Sequence, residues 1–148
     1  MIRARAFRYA WRGLRMTFRE EANFRVHLVV AEAILYIAFV ERVQAVTWAI
    51  LFLSVGLVLA LECLNTAVER AVDIAAAGQR KPLAAAAKDA AAGAVLAGSL
   101  AAAGVGFALL WGRLGMLSHV LRNPHDYVGL GVLAVLVVLT LRPLPRKG

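Results

Sequence analysis

Cysteine is nearly absent from this sequence. Cys63 stands alone among 148 residues, so no intramolecular disulfide can staple the fold. Beside Glu62 it reads as a small packing residue. Phosphate-cradling glycine loops are absent too. Neither GxxxxGK[ST] nor GxGxxG occurs, so a bound nucleotide would have to be held by carboxylate-bound metal and scattered side chains. There is no internal repeat of 20 to 50 residues and no linker that would divide the chain. No apolar h-region or small-x-small cleavage site follows the first arginines, so a secretory signal peptide is not expected and the N-terminus should be retained. Acidic residues are few, 9 against 17 Lys and Arg, for a net charge of +8.

What is abundant is apolar sequence. The apolar fraction is 61% and the mean hydropathy +0.72, too high for an ordinary soluble domain. The apolar residues cluster in runs at about 26–40, 43–61, 90–111 and 128–141. A membrane span needs about 20 residues. The second and third runs satisfy this unaided, and the first and fourth need their polar flanks. The expected fold is an all-α integral membrane protein with four spans.

The basic residues follow this topology. Seven arginines lie in residues 1–25, Arg70, Arg80, Lys81 and Lys88 lie between the second and third spans, and Arg142, Arg146 and Lys147 follow the fourth. Only Arg42, Arg113 and Arg122 fall in the other loops. By the positive-inside rule both termini and the middle loop face the cytoplasm. The charge is therefore topological, and a nucleic-acid partner is not expected.

Residues 2–20 form a different element. At about 100° per residue, Arg5, Arg8, Arg12, Arg15 and Arg19 share an arc of about 80°, and Phe7, Trp11, Leu14 and Phe18 share another of about 60°. This is the pattern of a helix lying in the membrane interface. The third span is rich in alanine and glycine, with small-xxx-small pairs at Gly93/Ala97 and Gly98/Ala102. Such pairs allow close helix approach in a bundle or oligomer. In the loop before it, Gly78 can stop a helix and Pro82 suits the first turn of the next.

The chemistry concentrates in "ECLNTAVERAVD", Glu62 to Asp73. With Glu62 as reference, Asn65, Glu69 and Asp73 fall at about −60°, −20° and +20° on one helix face. Glu62 sits at the inner edge of the hydrocarbon, and the others rise about 4.5, 10.5 and 16.5 Å beyond it. The helix therefore projects past the membrane, to about residue 77. Three aligned carboxylates need cations, and a hard-oxygen set of this kind suits Mg²⁺ shared with substrate phosphates. Glu20, Glu21, Lys88 and Asp89 are placed in the same layer. The residues alone thus point to a membrane-embedded site for a phosphorylated ligand. An ion-coupled transporter using Glu32 and Glu62 is the alternative of another class.

These stretches resemble the small prokaryotic lipid kinases, the diacylglycerol kinase and undecaprenol kinase family. The resemblance is carried by "WRGL" at 11–14, "EANFRVH" at 21–27, "ECLNTAVERAVD" at 62–73 and "AKDAAAGAVL" at 87–96. It covers about residues 5–111. It implies a homotrimer of three-helix subunits with a surface helix and shared active sites, in the bacterial inner membrane. It also implies ATP as co-substrate, Mg²⁺ as cofactor and a lipid hydroxyl as acceptor. By the same resemblance Glu62 is the catalytic base and Glu21 and Glu69 hold the metal. Tyr9, Glu21, Asn65, Glu69, Asp73, Lys81, Lys88 and Asp89 line the nucleotide, and Trp11 with Glu62 meets the lipid. Asn23 and His27 resemble the undecaprenol branch more than the enteric diacylglycerol branch, so undecaprenol is the expected acceptor and diacylglycerol the alternative. Residues 112–148, an extracytoplasmic loop, a further span and a basic tail, lie outside the resemblance.

Three departures from the family pattern stand out. Lys81 replaces a usual histidine, Ala85 and Ala86 stand where a basic residue is common, and Glu32 sits about 10 Å inside the first span. Glu32 is expected to be a packing residue hydrogen-bonded to Ser54 or Thr47. His119 and His125 fit no standard metal spacing and are not expected to form a site.

Overall fold

The computed structural model describes residues 2–77, 81–112 and 124–142, with side chains from residue 5 and, in the last segment, from residue 129. The described residues form five α-helices: α1 (Ile2–Glu20), α2 (Ala22–Val40), α3 (Ala45–Ala76), α4 (Pro82–Leu110) and α5 (Pro124–Leu141). Gly78, Arg80 and the loop around His119 lie outside the described residues, as does the side chain of His125.

The architecture follows from the apolar runs. α2, α3 and α4 are each long and apolar enough to cross a membrane. α5, 18 residues long, stands where the fourth span is expected, and its residues Gly129–Leu141 are apolar. Large apolar side chains such as Phe39, Leu53 and Leu100 are exposed on the single chain, as expected where lipid rather than water is the solvent. All-helical structure is one of the two arrangements that satisfy every backbone group in hydrocarbon.

The 32 residues of α3 make it about 48 Å long, well beyond a hydrocarbon core of about 30 Å. Its apolar part ends at Leu61, so the turns carrying Glu62 to Asp73 extend the same rigid rod. α3 ends one residue earlier than Gly78 would have stopped it. Ala77 caps it in the left-handed conformation, φ 48°, and its N–H bonds the Ile74 carbonyl. The left-handed cap normally falls to glycine; here the loop takes that conformation before the glycine is reached. Pro82 occupies the first turn of α4 as expected, and α4 and α2 each begin several residues before their apolar runs.

α3 packs most extensively on α4, α2 on α3 and α5, and α1 on both α2 and α3. Ala38, Val43, Leu51 and Leu110 form the buried core cluster. Gly98 leaves room for the Leu61 side chain of α3 against α4, since a Cβ there would meet Leu61 Cδ1 unless that side chain shifted. Gly106 faces Ile34 of α2 in the same way, less tightly. Gly93 has nothing within 4 Å of its Cβ position. Of the two expected small-residue pairs, the one at Gly98 therefore packs within the chain. The one at Gly93 does not, since it lies on the far side of α4 from Leu61.

Glu32 does not bond Ser54 or Thr47. Its Oε1 accepts from Thr140 Oγ1 of α5 at 3.1 Å, while the Ser54 hydroxyl bonds the Ile50 carbonyl of its own helix. The face of α2 that carries Glu32 is turned toward α5. On the same helix pair Gly129 accommodates the Tyr36 ring.

Candidate active site at the membrane edge

α1 and α2 are separated by one non-helical residue, Glu21. Its backbone is extended, φ −98° and ψ 116°, and it caps α2 without a side-chain capping bond. The backbone N–H of Glu21 bonds the Thr17 carbonyl at 2.8 Å. Arg25 reaches back from α2 to donate to the Phe18 and Arg19 carbonyls at 3.1 and 3.2 Å. This bend is thus fixed by backbone acceptors, and the Glu21 carboxylate is left unspent beside a helix N-terminus. Sequence reasoning missed Arg25, whose position just after the bend was the available signal.

Glu62 is buried, with 3% of its surface exposed. Its Oε1 lies 3.1 Å from His27 Nε2 of α2, and Glu21 and Glu69 act on it through space as like charges. One turn on, Thr66 is also buried and returns its hydroxyl to the Glu62 carbonyl. Asn65 donates from Nδ2 to Glu69 Oε1 at 3.1 Å, while its Oδ1 is buried with no partner. Farther along the rod Asp73 pairs with Lys88 of α4. On the α1 side Glu20 pairs with Arg70 of α3. Arg70, read from the sequence only as a topological charge, also contacts the Met16 sulfur and so ties α1 to the rod.

The pairing pattern separates the acids. Glu62, Asp73 and Glu20 each have a cationic or imidazole partner. Glu21 and Glu69 have none among the described residues. They are the two carboxylates expected to hold metal. No group of three His, Cys, Asp or Glu that could hold a metal forms among the described residues. Two carboxylates are within what Mg²⁺ takes, since it commonly binds one or two and completes its shell with water and phosphate oxygens. The orphaned Asn65 oxygen adds a hard donor to the same side of α3.

Other expected site residues are not gathered by one chain. Tyr9 and Trp11 are exposed on α1. Lys81 caps α4 without a side-chain bond and is exposed, as is Asp89. Below Glu62 a groove of about 370 Å³ runs between α2, α3 and α4. Its lining is apolar, with Ile34, Val58, Gly106 and Phe107 among its walls and His27 as a polar member. The groove therefore reaches, through the half-buried His27, the partner of the buried Glu62.

The sequence has recognisable relatives. The chain is 43% identical to a protein named diacylglycerol kinase from Synechocystis over 105 residues, 71% of this chain and 60% of that relative. It thus aligns with less than two thirds of that relative's length. It is 45% identical to a Bacillus subtilis protein named undecaprenol kinase over 91 residues, 62% of this chain and 73% of the relative. Identity to an Escherichia coli diacylglycerol kinase is 36% over 107 residues, 72% of this chain and 87% of the relative. No solved structure gives a significant match. The sequence model of the prokaryotic diacylglycerol kinase family matches residues 8–110, which hold α2, α3 and α4, the last two thirds of α1 and every acid of the cluster, and the chain belongs to that family.

Proposed function

We propose that this protein transfers the γ-phosphate of ATP to the hydroxyl of a membrane lipid at the cytoplasmic interface, with undecaprenol as the acceptor. The supporting observation is the division of the acids. One is buried at the head of an apolar groove, and two have no cationic partner among the described residues, Glu69 farther along the same rod and Glu21 at the bend between α1 and α2.

The chemistry follows from that division. The lipid tail lies in hydrocarbon and its hydroxyl reaches Glu62, which takes the hydroxyl proton as general base. The lipid oxygen bonds the γ-phosphorus, the bond from that phosphorus to the β–γ bridging oxygen breaks, and ADP leaves. Glu21 and Glu69 would hold Mg²⁺ together with the triphosphate, and the ion supplies neutralisation of the charge on the transferred group. Asn65, Asp73, Lys88 and Asp89 stand on the nucleotide side. In this role Lys88 exchanges Asp73 for phosphate oxygens.

Tyr9, Trp11, Lys81 and Asp89 are exposed on the single chain, which favours a homotrimer in which neighbours complete each site. α1 lies in the interface, with exposed Phe7, Trp11 and Leu14 toward lipid and its arginines toward headgroups. The charge distribution orients the N-terminus and the site toward the cytoplasm of the bacterial inner membrane. Undecaprenol is favoured over diacylglycerol by Asn23 and His27.

Purified full chain in detergent, given γ-labelled ATP, Mg²⁺ and either undecaprenol or dioleoylglycerol, tests the reading. Label should enter undecaprenol in preference. Preference for dioleoylglycerol moves the acceptor assignment, and label in neither lipid overturns the kinase reading in favour of the transporter class.

A further inference from the structure

A buried carboxylate needs a donor or it gives up its charge. Around Glu62 the charged neighbours Glu21 and Glu69 repel it, and His27 is the group of opposite character that touches it. An ionised carboxylate only accepts, so Nε2 of His27 carries the proton on the 3.1 Å line to Oε1. Nδ1 is then left on the other side of the ring. No protein donor reaches Glu62 Oε2 among the described residues. The two carboxylate oxygens are therefore unequal: one is tethered to α2 and the other is free.

We propose that His27 is a positioning residue for phosphoryl transfer, fixing the Glu62 carboxylate through Oε1 so that Oε2 is the oxygen presented to the lipid hydroxyl. This rests on the lipid-kinase reading. α2 and α3 meet at this contact, and His27 also lines the apolar groove. One side chain thus sets the base and borders the path of the acceptor. A rotating carboxylate would spend part of its time with neither oxygen aimed at the hydroxyl, and orientation of reacting groups is a large component of rate.

The test uses the full chain in detergent with two readouts on the same proteins. His27→Leu removes the donor at similar size, and His27→Gln keeps an N–H at comparable reach. His27→Leu should lower kcat by roughly 10- to 100-fold, the range reached by outer partners of reactive groups, with KM for ATP unchanged. His27→Gln should recover most of that loss. Independently of activity, the ¹⁵N signal of His27 Nε2, assigned by its disappearance in His27→Gln, should move when Glu62 is changed to Gln. A parent-like kcat in His27→Leu, or a His27→Gln protein as slow as His27→Leu, overturns the positioning role. An unmoved ¹⁵N signal overturns the contact itself. A parent that phosphorylates no lipid overturns the kinase reading on which the role rests, whatever the signal shows. If His27→Leu does not insert into the membrane, the His27→Gln rate and the ¹⁵N signal decide the matter without it.

Discussion

The Thr140 hydroxyl of α5 donates to Glu32 Oε1 of α2 at 3.1 Å, while the second Glu32 oxygen is buried without a partner among the described residues. An acid inside α2 is thus joined to a helix that lies beyond the family match.

Because this bond is between transmembrane-type helices, its coupling should be modest. In a cycle of Glu32→Leu, Thr140→Val and the double variant, the interaction should come to about 0.6 kcal/mol and stay under about 1.7. Reversible unfolding in mixed detergent measures it. Strict additivity of the two single changes would mean that the contact contributes nothing.

Glu62→Gln keeps the shape of the side chain and removes the proton acceptor. Turnover should fall by roughly 10² to 10⁴, while ATP binding is retained because the change lies at the lipid end of the rod. Steady-state rates alongside ATP-binding calorimetry check both halves, and near-parental turnover removes Glu62 from the role of base.

Glu21→Ala and Glu69→Ala each delete a carboxylate that has no cationic partner among the described residues. Neither leaves a cation stranded, so folding should be little affected. The Mg²⁺ concentration needed for half-maximal rate should rise in both, since the metal loses a hard oxygen ligand. Titration of activity with Mg²⁺ at saturating ATP makes the comparison, and two curves that overlay the parent's dismiss these residues as ligands.

Gly98→Val tests the packing of the rod. The added side chain meets Leu61, and overfilling a packed site costs about 1–3 kcal/mol. A second change, Leu61→Ala, should recover part of this loss. Gly93→Val, where no atom lies near the Cβ position, should cost less in a dissociated chain. Unfolding midpoints of the four proteins decide it, and equal losses at Gly98 and Gly93 would contradict the observed packing.

Much of this molecule was legible in one dimension. Apolar runs forced helices, because hydrocarbon leaves backbone groups no other partner. Helical periodicity alone put Glu62, Asn65, Glu69 and Asp73 on one face, and α3 runs unbroken through all four. The Arg5-to-Arg19 stripe and Pro82 likewise marked α1 and the start of α4, since periodicity and first-turn preferences are local.

Relations between helices were not legible, because pairing depends on how each rod is rotated about its axis and on which rods are neighbours. Single-helix geometry could not assign Glu32 to Thr140 rather than to Ser54, both being polar residues at reachable depth. It could not tell Gly98, which admits Leu61, from Gly93, which meets nothing. Nor could it show that His27 touches Glu62 or that Arg70 and Lys88 are taken by Glu20 and Asp73. Sequence by itself determined which acids share a face. Only the tertiary structure decided which of them are neutralised by neighbouring helices, because the imidazole beside Glu62 and the lysine beside Asp73 arrive from segments 35 and 15 residues away in the chain.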